Sequence, residues 1–299
     1  MYASQRDEGK PMKCESRKIM KNAALAVFVA GVLLPTGASW AGAGLTGRIL
    51  VAGYGPELPV VEELGRAFEK AHPGTAIEFE WDRNLKAAEM VRSGDAHIAV
   101  TDHEEPGLKA TTIAWDGIAV VVNFSNPVKE TSKDQIRDLF TGKIRRWSEL
   151  EGADKKVDVI HRPPDRNVRR GFESSLGIQE GQAAAGTIAR SDQKALSTVS
   201  GQDNAVTYVS LGEALKALED GVPIRILPVD KVEPGEPTVK DGRYPIRRPV
   251  LFLTAEHPDP LTDAFVTFAR SPEGQKIVKK MFVPYTPPAP QRVQSSSPG

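Results

Sequence analysis

Arginines collect where the chain turns into a helix. Arg162 follows the strand-like run Val157–His161, and Arg166, Arg169 and Arg170 come soon after, across the turn Pro163-Pro164-Asp165. A guanidinium is a planar fork of donors that can hold an oxyanion through paired hydrogen bonds. The first turn of a helix adds free backbone N–H groups and a favourable dipole. A second turn-to-helix junction lies at Gly53-Tyr54-Gly55-Pro56. A charge taken out of water needs many donors, because leaving it unpaired is costly. Two such junctions, one of them rich in arginine, are what a clamp on an anion requires.

Other reactive patterns are sparse. His103-Glu104-Glu105 and His161 invite a metal or acid–base reading, but the five histidines are scattered. There is no His-Glu-x-x-His, no paired-Cys motif, no Gly-x-Ser-x-Gly turn and no phosphate loop for nucleotide hydrolysis. The expectation is a binding protein and not an enzyme, with no cofactor and no metal.

The elements that must hold these residues alternate. Arg48–Gly53, Ala76–Trp81, Ile98–Thr101, Ala114–Asn123, Val157–His161, Ala205–Val209 and Arg248–Thr254 read as strands, rich in β-branched residues. Between them, Val60–Ala71 carries apolar residues at helical spacing, and Leu85–Ser93, Asp134–Phe140, Trp147–Leu150, a stretch from about Val168, Leu211–Glu219, Pro260–Arg270 and Pro272–Met281 also read as helices. The Pro-, Gly- and charge-rich segment Asp230–Tyr244 reads as a loop. Alternation of this kind predicts an α/β fold with a largely parallel sheet.

The N-terminus predicts export. Basic residues near Lys18 and Lys21 precede the uncharged run Ala23–Ala38, and Ser39-Trp40-Ala41 offers small residues for cleavage after Ala41. The apolar run is shorter than the ~20 residues of a membrane-spanning helix. Residues 1–41 therefore read as a signal peptide. The single cysteine, Cys14, lies within it, so no disulfide supports the rest. Six of the 39 basic and three of the 39 acidic residues also fall there, leaving a net charge of about −3 on the remainder. That balance argues against a nucleic-acid partner. After Tyr285 the Pro/Ser-rich tail, residues 287–299, reads as disordered.

Several segments carry a resemblance. Val51–Glu69, the run Trp115–Asn123 into Asn126-Pro127, Phe140-Thr141-Gly142-Lys143-Ile144 with Trp147, Tyr208-Val209-Ser210-Leu211, Tyr244-Pro245-Ile246 with Arg248-Pro249, and Ser271-Pro272-Glu273-Gly274-Gln275 occur in order from about Gly47 to Pro284. Together they resemble the phosphate-binding proteins of bacterial ABC importers. The resemblance implies a two-lobed periplasmic-binding-protein-like fold with a ligand cleft between lobes joined by two crossing strands, Ala114–Asn123 and Arg247–Thr254. It implies a first lobe from residues 46–122 and 246–286, a second from residues 123–245, and closure of the two around ligand.

It also implies where the ligand sits. Gly55 lies in the first turn, where the family has a hydroxyl residue close by; here Pro56 brings neither hydroxyl nor N–H and reads instead as a first-turn helix residue. Asn84 is the nearest equivalent of a family serine. Thr101 and Asp102 match well, the carboxylate accepting a bond from a protonated oxyanion, and Arg162 falls where the family places its anion-pairing arginine. The family's following Ser-Gly-Thr is here Arg166-Asn167-Val168, a loss of two hydroxyls and a gain of cationic charge. The implied ligand is inorganic phosphate or a related oxyanion. The implied partners are ABC permease subunits, which with a separate ATPase would supply the transport energy, and the expected state is a monomer in the periplasm. A ligand sensor, or a scaffold with altered anion specificity, is the alternative on the same fold.

Overall fold

The structure, a computed structural model, describes residues 44–286. The expected signal peptide and the expected disordered tail lie outside the described residues.

Most of the periodic stretches form the elements they predict. β1 (Gly47–Gly53) leads into α1 (Leu58–Ala71), whose Val60, Val61, Leu64 and Phe68 keep helical spacing and are buried. β2 (Thr75–Trp81), α2 (Ala87–Ser93) and β3 (Ile98–Thr101) follow. β4 (Lys109–Asn123) starts ahead of the expected Ala114. Next come α3 (Lys133–Phe140), begun by a Ser132–Gln135 capping box, and a tight turn of helix at Trp147–Leu150. β5 (Asp158–His161) and α4 (Asn167–Leu176) then flank the arginine-rich turn. β6 (Thr187–Ile188), α5 (Asp192–Ser200), β7 (Ala205–Ser210), α6 (Leu211–Glu219) and β8 (Ile224–Ile226) complete the middle of the chain. The expected loop after Asp230 contains one short helix, α7 (Glu236–Lys240). β9 (Arg247–Thr254), α8 (Pro260–Arg270), α9 (Pro272–Val278) and β10 (Val283–Pro284) follow. α9 ends short of the expected Met281.

The strands run in the order β2-β1-β3-β9-β4-β7-β5-β6, with β8 and β10 also pairing with β4. The expectation of a largely parallel sheet needs correcting. Parallel pairs are confined to the flanks, β1 with β2 and β3, and β5 with β6 and β7. Through the middle, β3–β9, β9–β4 and β4–β7 are all antiparallel. The chain leaves the first half along β4 and returns along β9. Adjoining outward and return strands must run in opposite directions.

Two main hydrophobic cores lie along this sheet. The first holds Ile49, Val51, Leu64, Phe68, Phe252 and Phe265. The second holds Val120, Phe140, Trp147, Phe172, Tyr208 and Tyr244. β4 contributes Ile113 and Ala114 to the first and Ile118 to Val122 to the second. The return path does the same in reverse, with Ile246 in the second core and Val250 in the first.

At the points of crossing sit two charged residues. Arg248, 1% exposed, donates to Asp116 Oδ2 from Nε at 3.1 Å and from Nη2 at 2.8 Å, and its Nη1 is 2.6 Å from Glu57 Oε1. Ser210 donates to the other oxygen of Asp116 at 2.7 Å. Glu57 stands at the N-cap of α1. A desolvated guanidinium is tolerable only when its donors are met by nearby carboxylates. The triad therefore ties the entry of α1 to both crossing strands.

Candidate functional site

Beside the triad, three helix N-termini open onto one cavity of about 370 Å³. Gly55, Pro56 and Leu58 line it from the start of α1, Arg166, Asn167 and Val168 from the start of α4, and Arg190 to Gln193 from the start of α5. Arg162 lies in its wall. Ser191 caps α5 by accepting from Lys194 N at 3.1 Å. The N-cap residues of α1 and α4, Glu57 and Arg166, make no side-chain capping bond, which leaves first-turn N–H groups for something else to bind. Free N–H groups, helix dipoles and guanidinium groups all favour negative charge.

Arg162 is held rigidly. It is 5% exposed, donates from Nη1 to Ala189 O at 2.9 Å, and its Nε is 3.2 Å from Asp192 Oδ1 without forming an aligned hydrogen bond. Burial pulls the Arg162 guanidinium down from its ordinary value and pushes the Asp192 carboxyl up, and each partner opposes the shift in the other. Asp192 thus offsets the cost of burying Arg162 and fixes its direction. The backbone around Gly55 is held by Trp81, whose indole N–H donates to Gly55 O at 3.1 Å. Gly55 has φ +117°, a conformation that favours glycine.

The sequence-derived site residues separate into two groups. Gly55, Arg162, Arg166 and Asn167 share the cavity. Thr101 lines a different cavity, with Tyr54, His103 and Arg170. Asn84 is exposed, and its backbone N–H is taken by Asp82 Oδ1 at 2.8 Å. Asp102 is buried but already engaged: Arg170 donates to its Oδ1 from Nε at 3.1 Å and from Nη2 at 2.5 Å, and His103 Nδ1 lies 3.0 Å from the same oxygen. Its pKa is lowered although burial, the largest influence, acts to raise it, because His103 and Arg170 more than compensate. Pro56 lies before the N-cap of α1, and Pro59 takes the first-turn position expected of it. The Asn167 side chain is spent on Tyr54 O and Arg170, so its backbone N–H is what it can offer an anion.

The family model for the PBP superfamily domain matches residues 38–273. The chain belongs to the PBP superfamily. The phosphate-binding protein PstS of Bacillus subtilis is 26% identical to it over 251 residues, which span 81% of this chain and 82% of that protein. A solved substrate-binding protein from Clostridium perfringens, assigned to phosphate ABC transport and holding bound phosphate, is 27% identical with a TM-score of 0.69, covering 80% of this chain and 100% of its own. An ABC-type phosphate transport receptor from Vibrio cholerae has the same fold, with a TM-score of 0.71 at 24% identity over 80% of this chain and 100% of its own.

Within this PBP superfamily chain, the residues that sequence reasoning missed are those leading into α5. Arg190, Ser191 and Asp192 bring a cation, a helix cap and the partner of Arg162. The signal was present: Ser191 precedes Ala195, Leu196 and Val199, which recur at helical spacing. Among the described residues no helix is long and apolar enough to cross a membrane, and no cluster of three His, Cys, Asp or Glu could hold a metal.

Proposed function

We propose that the protein is an exported solute-binding protein that captures phosphate or a related oxyanion in the cleft beside Arg162 and delivers it to an ABC importer. The carrying observation is that the uncapped N-termini of α1 and α4 face the cavity walled by the rigid Arg162 guanidinium. The phosphate-binding relatives support the same reading. In it, Gly55, Arg162, Arg166 and Asn167 form the anion site, Asp102 holds Arg170, which in turn holds the Asn167 side chain, and Thr101 and Asn84 lie outside the site. The two lobes take residues 46–122 with 246–286, and residues 123–245, and they close around ligand about the crossings at Asp116 and Arg248. Permease subunits receive the loaded monomer, residues 1–41 are its export signal, and the protein itself catalyses no reaction.

Calorimetric titration of ligand-stripped protein with inorganic phosphate and sulfate tests this directly. Saturable binding of an oxyanion is expected, with a loss of at least about tenfold in Arg162→Ala, because a charge-assisted hydrogen bond contributes about 1.5–3 kcal/mol. Unchanged affinity in that variant would remove Arg162 from the site.

A further inference from the structure

The cavity is larger and less polar than an inorganic oxyanion needs. A water molecule occupies about 30 Å³ of liquid, so a cavity of about 370 Å³ has room for roughly a dozen water-sized groups. A tetrahedral oxyanion fills only a small part of that. The remainder is not a uniformly polar shell: Leu58, Pro59, Val168 and Met281 line the same cavity as the arginines. Val168 and Leu58 occupy first-turn positions of α4 and α1, where a small polar side chain would add a donor and these add none. Charge is nevertheless abundant. Arg166 has a buried Nε that finds no hydrogen-bond partner among the described residues, and Arg190 is exposed on the same cavity. Glu213 is met by Gln193, which donates to it at 2.8 Å. A cationic end and an apolar end are therefore provided together, as in pockets that recognise small organic molecules.

We propose that this cavity selects a phosphomonoester or phosphonate, a doubly charged phosphoryl group with a small organic substituent, over the bare inorganic ion. The proposal rests on the reading of the cleft as an oxyanion site and assigns its ligand class. The phosphoryl group binds to Arg162, Arg166 and the free N–H groups of α1 and α4. The substituent lies against Leu58, Val168 and Met281, where burying its apolar surface strengthens binding.

Titration calorimetry at constant ionic strength with inorganic phosphate, phenyl phosphate and phenylphosphonate tests it. At least one organic ligand is expected to bind about tenfold or more tightly than inorganic phosphate. In Met281→Gln the ratio of organic to inorganic affinity should fall several-fold, since a polar amide replaces part of the apolar wall. Inorganic phosphate binding as tightly as both organic ligands would overturn the assignment and leave the oxyanion site standing. The same would follow if Met281→Gln left the ratio unchanged. Silence of all three ligands would overturn both readings.

Discussion

His161, the neighbour of Arg162, shows what burial does to one residue. It is 3% exposed, its Nε2 lies 2.9 Å from Ala184 O, and its Nδ1 has no partner among the described residues. Its ring meets those of Phe140 and Tyr208 edge-on. Burial first, and the charge of Arg169 second, pull its pKa from 6.5 down to about 4. The unfolded chain takes up this proton below pH 6.5, whereas the folded one resists until about pH 4. Stability from the neutral ring is thus complete above 6.5 and is lost as pH falls toward 4, by roughly 3 kcal/mol in total. In urea titrations between pH 7 and pH 4.5, His161→Gln should lose less stability than the parent protein. Parallel curves would show that the ring is already protonated, or that the unfolded state shares its shift. Asp102 teaches the complementary lesson. Its place at the end of β3 was legible, but its pairing with Arg170 depends on a residue far along the chain that sequence reading could treat only as part of an arginine run.

α4 places two rules in opposition. Gly171 lies within the helix, where alanine would gain up to about 1 kcal/mol of intrinsic propensity. A Cβ there would come within 2.8 Å of Cβ and Cδ of Arg248, a side chain pinned by Glu57 and Asp116. Overpacking of a fixed neighbour costs about 1–3 kcal/mol, so Gly171→Ala should lower the melting temperature. A rise would mean that Arg248 moves aside at little cost. Among the elements, α1, α3, α6 and α8 were readable because each has enough residues to display an apolar face. β6, β8 and β10 have two or three residues each, too few to display a period, and they exist because neighbouring strands offer unpaired edges.

The molecule as a whole turns on the buried triad. Glu57 begins α1, Asp116 lies on the outward crossing, Arg248 lies on the return, and Gly171 of α4 packs on its aliphatic stem. Burial pushes both carboxyl groups above the usual carboxylate range, and Arg248 acts against that shift. Arg248→Met would strand two carboxyls, and breaking such a buried pair costs about 3–5 kcal/mol. The loss should be visible in chemical denaturation at pH 7. It should shrink on acidification, because groups with a raised folded pKa gain stability as they protonate. A loss below about 1 kcal/mol at pH 7 would mean that water reaches the triad.

Local chemistry in the chain itself determined the alternation of strands and helices, the two turn-to-helix junctions and the arginine at the second of them. These follow from apolar spacing, turn residues and helix-start signals, all of which act over a few neighbours. Tertiary structure alone decided that the centre of the sheet is antiparallel, that Asp192 supports Arg162, and that Arg170 occupies Asp102. It also decided that Met281, far from every other site residue in sequence, lines the cavity. The physical reason is shared: each depends on which distant segments pack together, and burial, not sequence neighbourhood, sets what a charged side chain must find as its partner.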